Sequence, residues 1–254
     1  MEIKDWRQID ADMQRGYSHM MKNESVLACT EWKKTWCAIV ATIDSGSFNS
    51  IEDFDEVFPG LQCVFNWASD YDNELLNAIS EDISFVSERL SFCTQYIDRT
   101  ADKCGLNSLN MRAAIANSFF RLGMIEDGEK GYIALTAEHP TWAWGWIKWS
   151  DEYRYEAEER DYGRAIDLLN KALSIDGIDE IYVIKERLKG AYEGCGMNEE
   201  ADLIVIDEWD FGAPLSEIGN ITNAMKEELD RAVNSIFEAS DITGRPKKVG
   251  RNEL

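Results

Sequence analysis

The acidic residues around position 70 are the first candidates for chemistry in this sequence. Asp70, Asp72 and Glu74 alternate as in a calcium-binding loop, and Glu81 stands at the twelfth position. Such a loop needs glycine at its sixth position for a sharp turn, and Leu75 occupies it here. The spacing therefore does not predict a calcium site. Other pairs of acids carry no specificity in a chain with 48 of them, and a solvated acidic face explains them.

Zinc and catalytic motifs are not found either. The six cysteines form no C-x-x-C pair, and the two histidines, His19 and His139, complete no zinc-ligand spacing. No nucleophile-elbow, H-E-x-x-H or Walker motif occurs. Gly194-Cys195-Gly196 begins like a dinucleotide loop but has no third glycine, and it is typical of a turn between helices. We therefore predict a protein that is not an enzyme, with no catalytic, cofactor-binding or metal residues in this chain.

The middle of the chain repeats itself. Trp146-x-x-Trp149-Ser150-x-x-Tyr153 matches the first part of the 34-residue tetratricopeptide pattern W-x-x-L-G-x-x-Y, a helix-turn-helix unit. Arg112 opens a similar unit 34 residues earlier, and a third runs from Leu188. The three units carry small residues where their two helices cross closely: Gly128, Ala165 and Ala201.

The alignment of these three units with the repeat pattern also predicts a candidate binding groove. In such repeats certain positions of each first helix face the concave side of the stack. In this chain they hold the candidate peptide-groove residues Asn117, Phe120, Arg121, Trp144, Asp151, Arg154 and Tyr155. Aromatic rings and amides suit an extended peptide. The basic clamp that some tetratricopeptide domains use for a C-terminal carboxylate is not reproduced, because Ala113 stands where its lysine is expected. Ordinary surface is the alternative reading of these residues.

The remaining periodic segments are also helical. Apolar residues recur every three or four positions in 25–43 and 81–104, shorter helical pieces are expected at 61–68 and 73–79, and Ser50 is a candidate helix cap. An amphipathic helix of about six turns follows Pro214. We predict an all-α fold, a right-handed α-solenoid: a divergent N-terminal helical region (1–104), three repeats (105–212), a capping helix (213–240) and a basic flexible tail (241–254).

Charge and cysteine content indicate which partners and which cellular compartment to expect. The formal net charge is −22, so nucleic acid and anionic membrane surfaces are not expected as partners. The first residues show no secretory signal, and no apolar run is long enough to span a bilayer. Cysteines in a cytosolic domain are mostly small buried hydrophobes, and a cytoplasmic location is the simplest expectation.

Two stretches resemble a known family. Residues 110–116 with 141–153 resemble bacterial tetratricopeptide-type proteins common in Firmicutes, and Lys247-Lys-Val-Gly-Arg-Asn-Glu-Leu254 is similar to the lead-in of the SEC-C motif that often ends them. In the family this lead-in precedes a Cys-Pro-Cys zinc-binding segment. No residue of this chain inherits a zinc role from the resemblance. Zinc is expected only if such a tail follows residue 254.

Two functions remain open at this stage. The first is a non-enzymatic helical-repeat protein that mediates binding of a protein or peptide partner. The second is an acidic decoy or inhibitor that binds basic, nucleic-acid-binding proteins. A groove binder should tolerate salt, whereas a decoy should lose affinity steeply as charge is screened. The sequence identifies neither the partner nor the oligomeric state.

Overall fold

A computed structural model of the chain describes residues 6–156 and 160–206. The chain divides into two units, Met1–Val205 and Ile206–Leu254, and the described helices belong to the first. Helices account for most of the described residues, and no strand is present among them. The first five helices are α1 (Trp6–Met20), α2 (Ser25–Thr42), α3 (Ile51–Val57), α4 (Val64–Glu81) and α5 (Phe85–Arg99). The next six are α6 (Leu106–Arg121), α7 (Ile125–Glu138), α8 (Ala143–Asp151), α9 (Tyr162–Leu173), α10 (Ile181–Gly194) and α11 (Asn198–Leu203).

Aromatic side chains hold the N-terminal helices together. Trp32 on α2 is fully buried and donates from its indole N–H to the carbonyl of Met13 on α1 at 2.9 Å. It also meets Trp67 of α4 edge-on, with ring centroids 6.3 Å apart. Such edge-to-face contacts add stabilisation beyond the area that the rings bury. Ser50 caps α3 as predicted, because its hydroxyl accepts from the Asp53 N–H at 3.2 Å.

Two N-terminal helices differ from the sequence prediction. The pieces expected at 61–68 and 73–79 form one continuous helix, α4. The prediction of two pieces is wrong because Asp70 and Asp72, in the polar middle of this segment, do not interrupt the helix. Helix α1 was not predicted, although Ile9, Met13 and Gly16 recur on its buried side.

The repeat region forms the three helix pairs that the spacing predicts: α6 with α7, α8 with α9, and α10 with α11. The three crossing residues are buried, and Ala165 and Ala201 are 0% and 1% exposed. A Cβ on Gly128 would overlap the Phe120 ring and lie 3.0 Å from the carbonyl oxygen of Ala116. The small residues are therefore required by the close approach of the paired helices.

The pairs stack in chain order. We call α4, α6, α8 and α10 the first-helix layer, because each is the first helix of its pair and contacts the next member. Helix α6 belongs to both apolar cores: Met111 and Ala114 join the N-terminal core, and Ala113 and Ala116 join the C-terminal one. The described residues thus form an all-α, tetratricopeptide-like stack of helix pairs. Each unit buries its apolar faces against its neighbours rather than alone.

The second repeat departs from the regular unit after α8. A π-helical turn, Glu152–Glu156, follows α8 directly, and α9 begins only at Tyr162. This wider turn absorbs part of an insertion of about three residues in the second repeat, because Gly128 and Ala165 stand 37 rather than 34 positions apart. Turns of this kind are frequent at functional sites, and Glu152, its first residue, is only 3% exposed.

The cysteines correct one expectation. Cys29 and Cys93 are buried, but Cys37, Cys63, Cys104 and Cys195 are exposed, so most are not the buried hydrophobes that were predicted. The predicted capping helix and basic tail (213–254), with the SEC-C-like lead-in, lie outside the described residues. The domain boundaries near 104 and 212 stay predictions. Among the helices of the described residues, none has the length and apolarity that a membrane crossing requires.

Candidate functional site

A small polar cavity opens in the first-helix layer, between α4, α6 and α8. Its volume is about 160 Å³. Its wall is formed by nine residues: Leu76, Arg89, Ala113, Ala114, Asn117, Tyr132, Lys148, Asp151 and Glu152. Ala113 and Ala114 are 1% and 4% exposed, and their short side chains leave room that a larger residue on α6 would fill. The cavity therefore depends on small residues at the centre of the stack.

Arg89 forms one side of the cavity and is already well paired. This guanidinium is 4% exposed and donates to both carboxylate oxygens of Asp72, at 2.7 and 3.3 Å. It also donates to the side-chain oxygen of Asn117 at 2.5 Å. Burial acts to lower the pKa of Arg89, but the charge and hydrogen bonds of Asp72 outweigh it and raise the pKa. The arginine is thus charged and fixed in place by α4 and α6.

Glu152 forms the opposite side and is held by donors from two helices. The Asn117 side-chain N–H group donates to its two oxygens, at 2.9 and 3.1 Å, and the Tyr132 hydroxyl donates at 2.7 Å. Burial and the nearby negative charge of Glu152 raise the pKa of Tyr132 well above its ordinary value. Asn117 therefore bridges Arg89 and Glu152, and the network connects three successive helix pairs.

Lys148 lies in this wall without such a partner. Within the described part of the chain, its ammonium has no hydrogen bond and no ion pair. Burial lowers the pKa of Lys148, the positive charge of Arg89 lowers it further, and the carboxylates of Asp72, Asp151 and Glu152 oppose the shift. Because Lys148 is only half-buried, water can accept from its ammonium until a ligand takes that place. Among the cavity groups, Lys148 is the one whose donors are available to a ligand.

An arginine–tyrosine cluster lies beside the cavity, where the turn after α8 meets α10. Tyr155 is 48% exposed. The Arg154 guanidinium carbon lies 4.6 Å from its ring centroid, and that of Arg187 lies 5.7 Å away. Arg154 also donates to the carbonyl of Arg187 at 3.0 Å and covers Gly190, where a side chain would collide with it. The cluster presents an aromatic ring and two cations on the same layer as the cavity.

The sequence-predicted groove residues fall into three groups. Asn117 and Asp151 line the cavity, and Arg154 and Tyr155 belong to the arginine–tyrosine cluster. Phe120 packs inside the first repeat, with its ring centroid 6.1 Å from that of Tyr132, and Trp144 is half-buried against the C-terminal core. Arg121 is half-buried at the end of α6. Whether any of the seven contacts a peptide stays a prediction.

Three charged residues of the cavity, Arg89, Lys148 and Glu152, were not predicted as site residues from the sequence. Arg89 lies in the divergent N-terminal region, where no repeat register could be assigned. Lys148 lies between Trp144 and Asp151 on α8, but the repeat register does not assign it to the groove. Glu152 is turned inward by the π-helical turn, which an insertion in the second repeat signals only indirectly. The available signal was Lys148 itself, because it is the only charged residue in the mostly apolar stretch 143–150.

A larger cleft of about 420 Å³ lies between α2, α4 and α5. Its one carboxylate, Glu88, is paired with Lys33 at 2.6 Å and accepts from the Tyr71 hydroxyl at 2.7 Å. Tyr71 and Phe92 are each only 1% exposed, so their rings offer a ligand almost no surface. This cleft is therefore a weaker candidate than the cavity. Across residues 6–156 and 160–206, no cluster of three metal-ligating side chains occurs.

The comparisons with known proteins add little to this geometry. No protein-family model matches the chain, and no curated protein matches it. One crystal structure of MamA is similar at 15% identity with a TM-score of 0.41, covering 78% of this chain and 87% of that one. A second, at 14% identity and a TM-score of 0.38, covers 82% and 96%. At these values the likeness carries no argument about what the chain does.

Proposed function

We propose that this chain is a non-enzymatic helical-repeat protein that binds a protein or peptide partner through its first-helix layer. The observation that carries the proposal is the row of polar and aromatic groups on successive members of that layer. Lys148 offers donors from α8, and Tyr155 with its two arginines follows where the turn after α8 meets α10. Stacked repeats provide an extended surface on which a peptide can contact several units at once.

Charge balance on this layer favours groove binding over a decoy. The chain has a large acidic surplus, yet Lys148, Arg154 and Arg187 lie along the layer, and Arg89 reaches it from α5. Around the cavity and the arginine–tyrosine cluster these cations offset the carboxylates of Asp72, Asp151 and Glu152, so this surface lacks the acidic excess that a decoy for basic proteins would present. The acidic surplus supports the decoy as the second candidate, and the two candidates predict different responses to salt.

A peptide library displayed on phage and selected against the purified chain tests the proposal. We expect selected peptides to bind the wild type and to lose about tenfold in affinity with Tyr155→Ala, since exposed interface tyrosines often contribute more than 1 kcal/mol. The matched control is Ile133→Ala, because Ile133 is 51% exposed but lies on α7, outside the layer. Equal losses for both variants, or a loss only for Ile133→Ala, would contradict the proposal.

A salt series separates the two candidates. Between about 0.1 and 1 M salt the Debye length falls from about 10 to 3 Å, which screens exposed charges. Groove binding built on hydrogen bonds and ring contacts should change only a few-fold. A steep and continuous loss of affinity, with basic peptides dominating the selection, would instead identify the decoy.

A further inference from the structure

The cavity between α4, α6 and α8 is close to charge-neutral. Its wall contains two cations, Arg89 and Lys148, and two carboxylates, Asp151 and Glu152. Asp72 lies directly behind Arg89 and adds one further negative charge, and Arg187, 3.8 Å from the Asp151 carboxylate, adds one further positive charge. A ligand that brought a full charge of either sign would therefore meet an unbalanced environment. The electrostatics favour a neutral polar group.

The hydrogen bonds already formed show what that neutral group must supply. Arg89 is directed at Asp72 and Asn117, whereas Lys148 makes no hydrogen bond and no ion pair within the described residues. An occupant must therefore carry a strong acceptor, such as a carbonyl oxygen. Each carboxylate oxygen accepts more than one hydrogen bond, so Glu152 can also receive an N–H from the occupant. A carboxamide meets both needs in one small neutral group, because its carbonyl oxygen accepts while its separate nitrogen donates two N–H bonds.

The size of the cavity agrees with this chemistry. At about 160 Å³ it resembles the engineered cavity of about 150 Å³ that holds one benzene molecule. It admits one amino-acid side chain and not a folded element or a cofactor. Its polar wall distinguishes it from such dry cavities, because an apolar occupant would leave Lys148 without an acceptor.

We propose that this cavity binds one side-chain carboxamide, from an asparagine or glutamine of the bound partner, with its carbonyl oxygen accepting from Lys148 and its N–H group donating to Glu152. The inference rests on the proposed function, since it names the chemical group by which the partner is anchored. Small-molecule probes test it separately, because they need no peptide.

Three probes of nearly the same shape and different charge provide the test: acetamide, acetate and acetamidinium. Each is titrated into the full chain labelled with ¹⁵N, and the side-chain amide signal of Asn117, which lines the cavity, is followed by NMR. We expect acetamide to bind and the two ions to bind about tenfold more weakly, because each adds an unbalanced charge. Glutamine side chains in a selected peptide should behave as acetamide does, and glutamate in the same place as acetate.

Variants identify the residue responsible. Lys148→Met keeps the length of the side chain and removes its donors, and acetamide binding should disappear. Lys130→Met is the control, because Lys130 is 70% exposed on α7, away from the cavity. A thermal melt of Lys148→Met shows that the variant is folded, and Lys148→Arg, which keeps a donor, should retain partial binding.

Each alternative result overturns the inference. Tighter binding of acetate would make the cavity a carboxylate site, and tighter binding of acetamidinium would make it a cation site. No response to acetamide at the highest soluble concentration would mean that the cavity holds only water. If acetamide binds but no peptide is selected, the site stands and the proposed function falls. If peptides bind without any carboxamide preference, the proposed function stands and the inference falls.

Discussion

Replacing Gly128 by alanine tests the close crossing of α6 and α7. The added Cβ would lie 3.0 Å from the Ala116 carbonyl oxygen, a backbone atom that cannot rotate away, and would overlap the Phe120 ring. Overpacking of this kind costs about 1–3 kcal/mol. The displaced ring would also lose its contact with Tyr153, where the centroids are 5.7 Å apart, worth about 1 kcal/mol. Alanine returns at most about 1 kcal/mol through its higher helix propensity.

The net effect of Gly128→Ala is therefore a loss of about 2 kcal/mol in the free energy of unfolding. For a domain of this size that corresponds to a melting temperature lower by roughly 4–8 °C. The assay is urea unfolding followed by far-ultraviolet circular dichroism, with a thermal melt alongside. Both signals report helix loss directly in a fold of this type.

Gly163→Ala is the matched control, because the same change is made in the first turn of α9. There the added Cβ would meet only the Asp161 carboxylate, at the ordinary contact distance of 3.4 Å. We expect this variant to be as stable as the wild type or slightly more stable. If Gly128→Ala and Gly163→Ala unfold at the same urea concentration, the close helix crossing, and with it the repeat register, would be wrong.

Three further substitutions test other parts of the structure. Ala165→Leu should lower the free energy of unfolding by about 1–3 kcal/mol, because Ala165 is fully buried; an unchanged melt would contradict its place in the core. Tyr132→Phe should cost about 1.5–3 kcal/mol in urea unfolding, since it removes a buried hydrogen bond to the Glu152 carboxylate, and a neutral effect would show that this contact does not form. Burial acts to raise the pKa of Glu52, but hydrogen bonds from the Ala101 N–H and Thr100 hydroxyl lower it from 4.5 to about 2. The stability advantage of wild type over Glu52→Gln should thus be full above pH 4.5 and disappear as pH falls toward 2, and a difference that does not change with pH would refute this pairing.

The repeat architecture could be predicted because it depends on local rules. The recurrence of Arg112 and Trp146 at 34 residues, and the small residues at the crossings, reflect the packing of one helix on its neighbour. Trp146 and Trp149 occupy the core positions that the pattern assigns them, each 3% exposed. Such positions repeat in sequence because the same contact repeats in space.

The cavity could not be predicted because it depends on contacts between distant segments. Asn117 meets Arg89 from 28 residues away and Glu152 from 35 residues away. Neither pairing has a periodic signature. The overall charge of −22 also concealed the local balance of the cavity wall, since a total describes the whole surface and not one site.

The length of α4 shows a further limit of pattern reading. Two short helical pieces were predicted where one helix runs from Val64 to Glu81. The acidic residues between the two pieces are stabilised by tertiary contacts: Asp72 pairs with Arg89, and Asp70 accepts from the Tyr17 hydroxyl at 2.7 Å. Local helix propensity does not take such tertiary partners into account, so the sequence pattern alone underestimated the length of this helix.

Binding of a partner along the first-helix layer is the central claim, and one NMR titration tests it most directly. A selected peptide is added to the ¹⁵N-labelled chain, and the amide shift changes are mapped onto the helices. We expect the shift changes to be concentrated on α6, on α8 and in the turn after α8 that contains Tyr155, with α7 and α9 little affected. Changes concentrated on α7 and α9, or spread evenly over acidic surface residues, would contradict the claim.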